Sequence, residues 1–319
     1  MTTPSRPIGI YYEHPDWFKP LFAELERRGT PHERIDARQH QYDVAAPSNG
    51  LGLLFNRMSP SAYLRGHRQG IFYTLAYLQH LECSGTRVVN GYRAFTVETS
   101  KALQLSLLES LGLPYPRARV INHASQAPDA SRALRFPVVV KANIGGSGAG
   151  IVRFDTRGAL EHAAAAGEID LGIDDTGLVQ EFIPARGGHI TRVEVLGGKY
   201  LYAINVFSSG ESFNLCPADI CQTTGGVSLE RAGCALDAPR NGLRVEGYTP
   251  EPAVVADVER IMQAAGIEVG GVEYIVDDRD GRRLYYDINA LSNFVADPVT
   301  VVGFDPFERL VDYLEQEVR

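Results

Sequence analysis

Lys141 stands at the end of the apolar run Pro137–Val140. Glycines at 145, 146, 148 and 150 and Ser147 follow it, and a second strand-like run covers Ile151–Phe154. Glycines let a backbone turn sharply and leave its N–H groups free to point at an anion. A lysine at the mouth of such a loop adds a point charge suited to phosphate. Two readings fit this segment taken alone: a flap over nucleotide phosphates built as a β-hairpin, or a plain glycine-rich hairpin turn. It is not a Walker A loop, because the lysine precedes the glycines and no helix follows directly. A second group of residues could hold a cation. Asp287 and Asn289 are two apart in LYYDINA, so on a strand they share a face. Glu273 lies in the strand-like VGGVEYIV, and the turn Asp278–Gly281 separates the two runs. If these strands pair, three oxygen ligands meet in a set suited to Mg²⁺, which takes carboxylates, waters and substrate phosphates. Charged groups facing an apolar sheet are costly unless paired or metal-bound. Asp277, Asp278 and Asp280 read as a solvated turn.

The elements that must position these groups alternate in type. Pro7–Tyr12 is a short apolar strand. Asp16–Arg28 is amphipathic, with Trp17, Leu21, Phe22 and Leu25 on one face, and stops at Gly29. Leu51–Phe55 is a strand, Arg68–Leu81 a helix, and Thr86–Val89 a strand ending at Asn90-Gly91. Such alternation implies a small parallel α/β unit. Asn56, Arg57, Ser59 and Tyr63 follow the strand at 51–55, where open α/β sheets bind ligands; a structural turn is an equal alternative. Thr96–Leu111 reads as one helix with Thr96 or Thr99 near its start, and Pro114 and Pro116 forbid its continuation. A small α/β lid extends to about Glu181, with a helix at Ala159–Ala166 and a last strand at Gly177–Phe182. The remainder reads as a larger antiparallel sheet with helices, in which Ile190–Leu196 and Lys199–Phe207 form a hairpin across Gly197-Gly198. Ser208–Thr249 is irregular, polar and too long for an ordinary connection, and such loops are often functional. We expect it on the acceptor side of the site, the alternative being a disordered or dimer-contacting loop.

A chain of 319 residues can bury a large core and usually holds two or three subdomains. The formal charge of −8 argues against a general nucleic-acid partner. No apolar run approaches the length of a membrane span, and the start, MTTPSRPIGIYY, lacks the apolar core of a signal peptide. The four cysteines, Cys83, Cys216, Cys221 and Cys234, fit a reduced cytoplasmic setting. The last three match no standard zinc spacing and are read as ordinary loop cysteines.

Further segments occur in a fixed order around the glycine loop: TSKALQLSLLESLGLPYPRARV, which carries Lys101, then LVQEFIPARGG, ITRVEVLGGKYLYAINV and GGVEYIVDDRDGRRLYYDINALSNF. This order resembles the ATP-grasp superfamily, especially its glutathione-synthetase-like and RimK-like carboxylate–amine ligases, over about Lys101–Phe294. The resemblance implies a mixed α/β (α+β) ATP-grasp fold: a preATP-grasp α/β domain at 1–95, a central and lid subdomain at 96–182, and an antiparallel C-terminal subdomain with the metal site at 183–319. It implies that Lys101 and Lys141 contact nucleotide phosphates. Gly145, Gly146, Ser147 and Gly148 would cover the terminal phosphates and exclude water, which protects an acyl phosphate from hydrolysis. Gln180, Glu181, Phe182 and Ile183 would form the adenine hinge, with the Glu181 carboxylate and the Ile183 backbone on the ring edge. Glu273, Asp287 and Asn289 would hold Mg²⁺, with Mn²⁺ as an alternative. Arg192 would approach the transferred phosphate and acyl group.

The chain departs from the family pattern in three places. Asp287 stands where Glu is more usual. Ala185–Ile190 has no carboxylate for the ribose hydroxyls, His189 being the obvious polar substitute. Asn205 stands where relatives often carry a basic residue, which hints at a different substrate. The implied activity is ATP-dependent joining of a carboxylate to an amine (or thiol) through an acyl phosphate, with ADP and phosphate released. The acceptor is an amino acid, a natural-product intermediate or a peptide, the last including macrocyclisation. A small-molecule kinase and a nucleotide- or leader-peptide-binding regulator are the alternatives. A homo-oligomer is left open; nucleic acid and membrane are not expected partners.

Overall fold

The structure, a computed structural model, describes residues 6–14, 16–45, 50–67, 70–145, 151–207 and 244–318. The N-terminal part is the expected parallel unit. Strands β1 (Ile8–Tyr12), β2 (His32–Asp36), β3 (Leu53–Arg57) and β4 (Val88–Val89) lie in the order β2-β1-β3-β4, all parallel. Helices α1 (Lys19–Arg28) and α2 (Gly70–Cys83) make the crossovers. Strand β2 is absent from the sequence reading. Its HERID has no apolar alternation, because it is an edge strand paired only to β1 and largely open to solvent.

The single helix expected over Thr96–Leu111 is two, α3 (Tyr92–Glu98) and α4 (Lys101–Ser110). Between them Ser100 takes an extended conformation, and its hydroxyl accepts from the Leu103 N–H at 3.3 Å. Ser100 is therefore the cap, not Thr96 or Thr99, whose hydroxyls donate back to the carbonyls of Tyr92 and Phe95 at 2.8 Å each. That break puts Lys101 in the first turn of a new helix.

Strands β5 (Ala118–Ile121), β6 (Val138–Ala142), β7 (Ile151–Phe154) and β8 (Gly177–Glu181) form an antiparallel sheet in the order β5-β8-β6-β7. The short α5 (Ala127–Ala130) and α6 (Arg157–Ala166) cover it. Its core is its own, built from Val138, Val140, Phe154, Leu160 and Val179 with their neighbours. β6 and β7 pair as the expected hairpin, Lys141 opposite Ile151.

A five-stranded antiparallel sheet completes the chain: β9 (His189–Leu196), β10 (Lys199–Phe207), β11 (Arg244–Tyr248), β12 (Val269–Val276) and β13 (Arg283–Asn289), in the order β11-β10-β9-β12-β13. Gly197 and Gly198 both have left-handed φ (59° and 72°), which a two-residue turn between β9 and β10 requires. Residues 244–248, expected to be irregular, form β11 against β10. The rest of the acceptor-loop expectation, 208–243 with Cys216, Cys221 and Cys234, lies outside the described residues. Cys83 is an exposed free thiol.

One face of this sheet (Val193, Val195, Ala203, Val272, Ile288) packs on α7 (Pro252–Ala265) and on Leu105 and Leu108 of α4. The other face (Ile190, Tyr202, Ile204, Val206) shares a core with Ile8, Ile10, Leu53 and Phe55 of the parallel sheet. After the short α8 (Pro298–Val302), α9 (Pro306–Glu317) adds Phe307, Leu310, Val311 and Leu314 to that core. It also ties to the N-terminal part through Arg28–Asp312 at 2.5 Å and Arg87–Glu317 at 2.6 Å. Among the described residues no helix is long and apolar enough to cross a membrane.

Candidate active site

The strand register sets polar side chains in two rows on the face of the five-stranded sheet that turns toward the N-terminal part. In one row Arg192 of β9 lies opposite Glu273 of β12, which lies opposite Asp287 of β13. In the next, Glu194 lies opposite Gly271, which lies opposite Asn289. The hairpin expected from spacing thus brings Glu273, Asp287 and Asn289 together. A bulge between Glu273 and Tyr274 advances the register of β13 by one residue, and the Tyr286 hydroxyl donates to Glu273 Oε2 at 2.7 Å.

The carboxylates are held by cations. Lys101 Nζ donates to Asp287 Oδ1 at 2.7 Å, and the Asn289 amide donates to Asp287 Oδ2 at 3.1 Å. Burial by itself would raise the Asp287 pKa; the Lys101 ammonium, with Lys141 beyond it, outweighs burial and holds it below the ordinary range. Glu273 goes the other way: burial and the Asp287 charge raise its pKa, against the pull of Arg192 and Tyr286. Arg192 is largely but not fully buried, with Nε on Glu194 Oε1 at 2.5 Å and Nη1 on Glu273 Oε1 at 3.0 Å. Desolvation disfavours its charge, yet the two carboxylates raise its pKa further.

Lys141, next to last in β6, is 5% exposed, so its stem is buried and not solvated. Asn143, two residues on, joins the two lysine-bearing elements. Its Oδ1 accepts from the Ser100 hydroxyl at 3.1 Å and the Ala102 N–H at 3.0 Å. Its amide donates to Asp174 at 2.7 Å, and its carbonyl accepts from the Lys101 N–H at 3.2 Å. Gln104 fixes the other side of α4: its amide donates to the carbonyls of Glu98 and Ile288, and its Oε1 accepts from the Ile288 N–H at 3.2 Å. Ile288 is the residue between Asp287 and Asn289. Behind it, Glu98 is fully buried and accepts from the Leu291 N–H at 2.7 Å. Burial pushes the Glu98 pKa up to about 8, only partly offset by that bond.

At the expected adenine hinge, Gln180 and Glu181 close β8 and are both buried. The Glu181 carboxylate is engaged: it accepts from the Arg135 N–H at 3.0 Å, with Arg117 at 3.6 Å. The Glu181 and Phe182 N–H groups donate to the carbonyls of Arg117 and Pro137. Phe182 lies under the Arg153 guanidinium at 4.5 Å, and Ile183 packs on Ile275 and Leu284. Gln180 Oε1 is a buried acceptor without a hydrogen-bond partner among the described residues, a group that a ligand donor would satisfy. The donor set fits a nucleotide with a divalent cation: two lysines, two carboxylates and an amide oxygen. Among the described residues there is no cluster of three acidic, His or Cys ligands, and a two-carboxylate site leaves Mg²⁺ positions for phosphate and water oxygens.

Other expected positions fall differently. Gly145, just beyond β6, is buried; Gly146, Ser147 and Gly148 lie outside the described residues. Asn56 donates to Asn90 O at 3.1 Å, buried Arg57 donates to Ser292 O and Ser59 bonds Ser61 at 2.8 Å, which is the structural-turn alternative. Tyr63 reaches the segment just after β6, donating to Ile144 O at 3.2 Å. Asp277 is not solvated: it is 1% exposed and chelated by Arg279 at 2.6–3.0 Å. Asn205 pairs with Thr191 at 2.8 Å, one residue out of phase with Arg192, so it faces away from the site; Ile204 is the residue opposite Arg192. The His189 ring lies tilted beside that of Phe207, centroids 4.9 Å apart. Glu194, Asn143, Gln104 and Glu98 went unread. Only Glu194 carried a usable signal, the same two-residue spacing from Arg192 that marks Asp287 and Asn289.

Residues 98–215 match the model of the RimK-like ATP-grasp domain. A probable alpha-L-glutamate ligase of Shewanella loihica is 30% identical over 216 residues, covering 64% of this chain and 71% of that protein. Two solved structures share the fold. D-cycloserine synthetase DcsG aligns with a TM-score of 0.68 at 17% identity, over 98% of this chain and 100% of its own. The ATP-grasp ligase PsnB complexed with minimal precursor aligns with a TM-score of 0.66 at 18% identity, over 98% of each chain.

Proposed function

The chain belongs to the RimK-like ATP-grasp family of ligases, which couple ATP to the joining of a carboxylate and an amine, and from that premise we propose which residues do the work and what they join. The observation that carries the reading is the Lys101–Asp287 ion pair beside Glu273 and Asn289 on one sheet face, with the Lys141 charge near enough to help lower the Asp287 pKa. Two cations and an oxygen-ligand patch in one place suit a metal-bound polyphosphate.

A carboxylate oxygen of one substrate attacks the γ-phosphorus, and the bond to the β-phosphate breaks with its electron pair leaving on ADP. The amine lone pair of the second substrate then attacks the acyl carbon. The acyl C–O bond breaks, phosphate departs with the pair, and the amine proton leaves with it. Lys101 and Lys141 bind and orient the phosphates. Arg192 stabilises charge on the transferred phosphoryl oxygens. The glycine-rich segment at 145–150, read from the sequence, would cover the phosphates and exclude water. Gln180 and the backbone at Glu181–Ile183 receive the base, since the Glu181 carboxylate is already bonded. Glu273, Asp287 and Asn289 would hold magnesium, which neutralises phosphate charge when bound. The three working units are 1–95, 96–182 and 183–319, in a cytoplasmic setting. An α-amino acid is the first candidate substrate, because the relatives are named alpha-L-glutamate ligases. A peptide is the second, following PsnB and its precursor.

Purified protein with Mg²⁺ and ATP is assayed for ADP release against pooled amino acids including L-glutamate, then against peptides ending in Glu or Asp. Amine-dependent ADP formation, lost in a folded Lys141→Ala variant, is the expected result. Unchanged ATP affinity of Lys141→Ala by calorimetry would remove Lys141 from the nucleotide site, and a stable phosphorylated product made without an amine would identify a kinase.

A further inference from the structure

Glu194 is 1% exposed, and no sequence reading placed it in the site. It stands in the row beside the metal residues, opposite Gly271, with Asn289 on the far side of that glycine. The glycine makes its position possible: a Cβ at 271 would come within 3.0 Å of Glu194 Oε2 and 3.2 Å of Arg192 Nε. Of the two Glu194 oxygens, Oε1 accepts from Arg192 Nε at 2.5 Å, while Oε2 has no hydrogen-bond partner among the described residues. A buried carboxylate left half-satisfied is costly, so its one strong bond to Arg192 is what it offers the site.

Arg192 has a second carboxylate, Glu273, but that group is shared. Glu273 already receives the Arg192 Nη1 and the Tyr286 hydroxyl, one on each oxygen. A cation held by Glu273 must displace or weaken one of these bonds, because a carboxylate oxygen facing a metal has less electron density to give a guanidinium. Glu194 has no such second duty. We infer that Glu194 is a positioning residue, which holds the Arg192 guanidinium by Nε so that its outer nitrogens can turn to the terminal phosphate once Glu273 serves the metal. Removing the carboxylate charge while keeping the shape frees the guanidinium to swing and to follow Glu273.

The inference rests on the role given above to Arg192, and the experiment separates the two. The dissociation constants of Mg²⁺·AMPPNP and Mg²⁺·ADP are measured by calorimetry for the full chain and for Glu194→Gln, Arg192→Ala and the double variant. The quantity read is the ratio of the two constants, which isolates contacts to the terminal phosphate. Mg²⁺·ADP affinity close to that of the parent protein confirms that each variant is folded. If Glu194 positions Arg192, Glu194→Gln loses about tenfold of the preference for AMPPNP, the size of one charge-assisted hydrogen bond, and the double variant loses no more than Arg192→Ala alone. A parent-like ratio in Glu194→Gln, with a reduced one in Arg192→Ala, overturns the role of Glu194 only. A loss in the double variant equal to the sum of the single losses overturns it as well, since independent residues add. A parent-like ratio in Arg192→Ala removes Arg192 from the terminal phosphate, and the role of Glu194 falls with it. Should Glu194→Gln fail to bind Mg²⁺·ADP, Glu194→Asp, which keeps the charge on a shorter arm, must restore that binding and part of the ratio; failure to do so overturns the inference.

Discussion

Replacing Asn143 with alanine should loosen the nucleotide site without touching a residue assigned to it. The side chain makes three bonds: it accepts from the Ser100 hydroxyl and the Ala102 N–H and donates to Asp174, at 3.1, 3.0 and 2.7 Å. The Ala102 N–H is one of the donors at a helix start that has no partner inside the helix, so truncation strands it. A stranded, partly buried donor costs about 1–2 kcal/mol, and each of the other two bonds contributes about 1 kcal/mol, for a total of about 3–4 kcal/mol. In a chain of this length that lowers Tm by roughly 4–6 °C. The same bonds set the distance between the start of α4, which carries Lys101, and the end of β6, which carries Lys141. Their loss should weaken Mg²⁺·ATP binding by about tenfold, the equivalent of about 1.4 kcal/mol. Thermal melts followed by calorimetry read both effects. A Tm within a degree of the parent, together with unaltered ATP affinity, would refute the view that Asn143 couples the two lysines.

Asp287→Asn removes the charge that Lys101 and a divalent cation share; turnover should fall sharply and recover in part at high Mg²⁺, whereas full turnover at ordinary Mg²⁺ would make Asp287 purely structural. Glu98→Gln tests the buried acid on α3. The folded-state pKa of Glu98 is raised to about 8 from an ordinary 4.5, so the folded form holds a proton that the unfolded chain releases. That contribution to stability is complete below about pH 4.5 and is lost as pH rises through 8. The parent protein should therefore lose stability from pH 5 to 8 more steeply than Glu98→Gln in paired melts; equal slopes would contradict a protonated Glu98.

The parts of the site that could be read in advance depend on local geometry. A strand period of two puts Asp287 and Asn289 on one face, and a short turn brings Glu273 beside them. The β6–β7 hairpin follows from a lysine, a glycine run and a second apolar strand. The parts that could not be read depend on how separate elements dock. Asn143 matters because α4 starts beside β6, and Gln104 because α4 covers the outer edge of β13. Glu98 matters because α3 buries it behind that strand. None of these is visible in spacing. The break at Ser100 is a local event that was missed because Thr96–Leu111 is helical in composition throughout, and the capping serine is a single residue in it. Strand β2 was missed for the opposite reason: an edge strand in water needs no apolar face. Asn205 shows how one residue of phase changes meaning, since the position facing Arg192 is apolar Ile204 and not an asparagine in place of a base.

The face that carries the polar rows is the same face that seals the five-stranded sheet to the parallel sheet and α9. Opening a cleft there would wet Ile204, Phe55, Phe294 and Leu314 together, and large apolar contacts of this kind suppress domain motion. The small antiparallel sheet is differently placed. It has a core of its own and meets the rest of the molecule through few apolar residues, Leu178 and Ala118 among them. Traffic into and out of the site should therefore be asymmetric. Two of the three sheets share one core, and the third, with a core of its own, is the one expected to lift as a spent nucleotide leaves. A crosslink between the parallel and five-stranded sheets should then be tolerated during turnover, while one that pins the small sheet to either of them should trap the nucleotide inside.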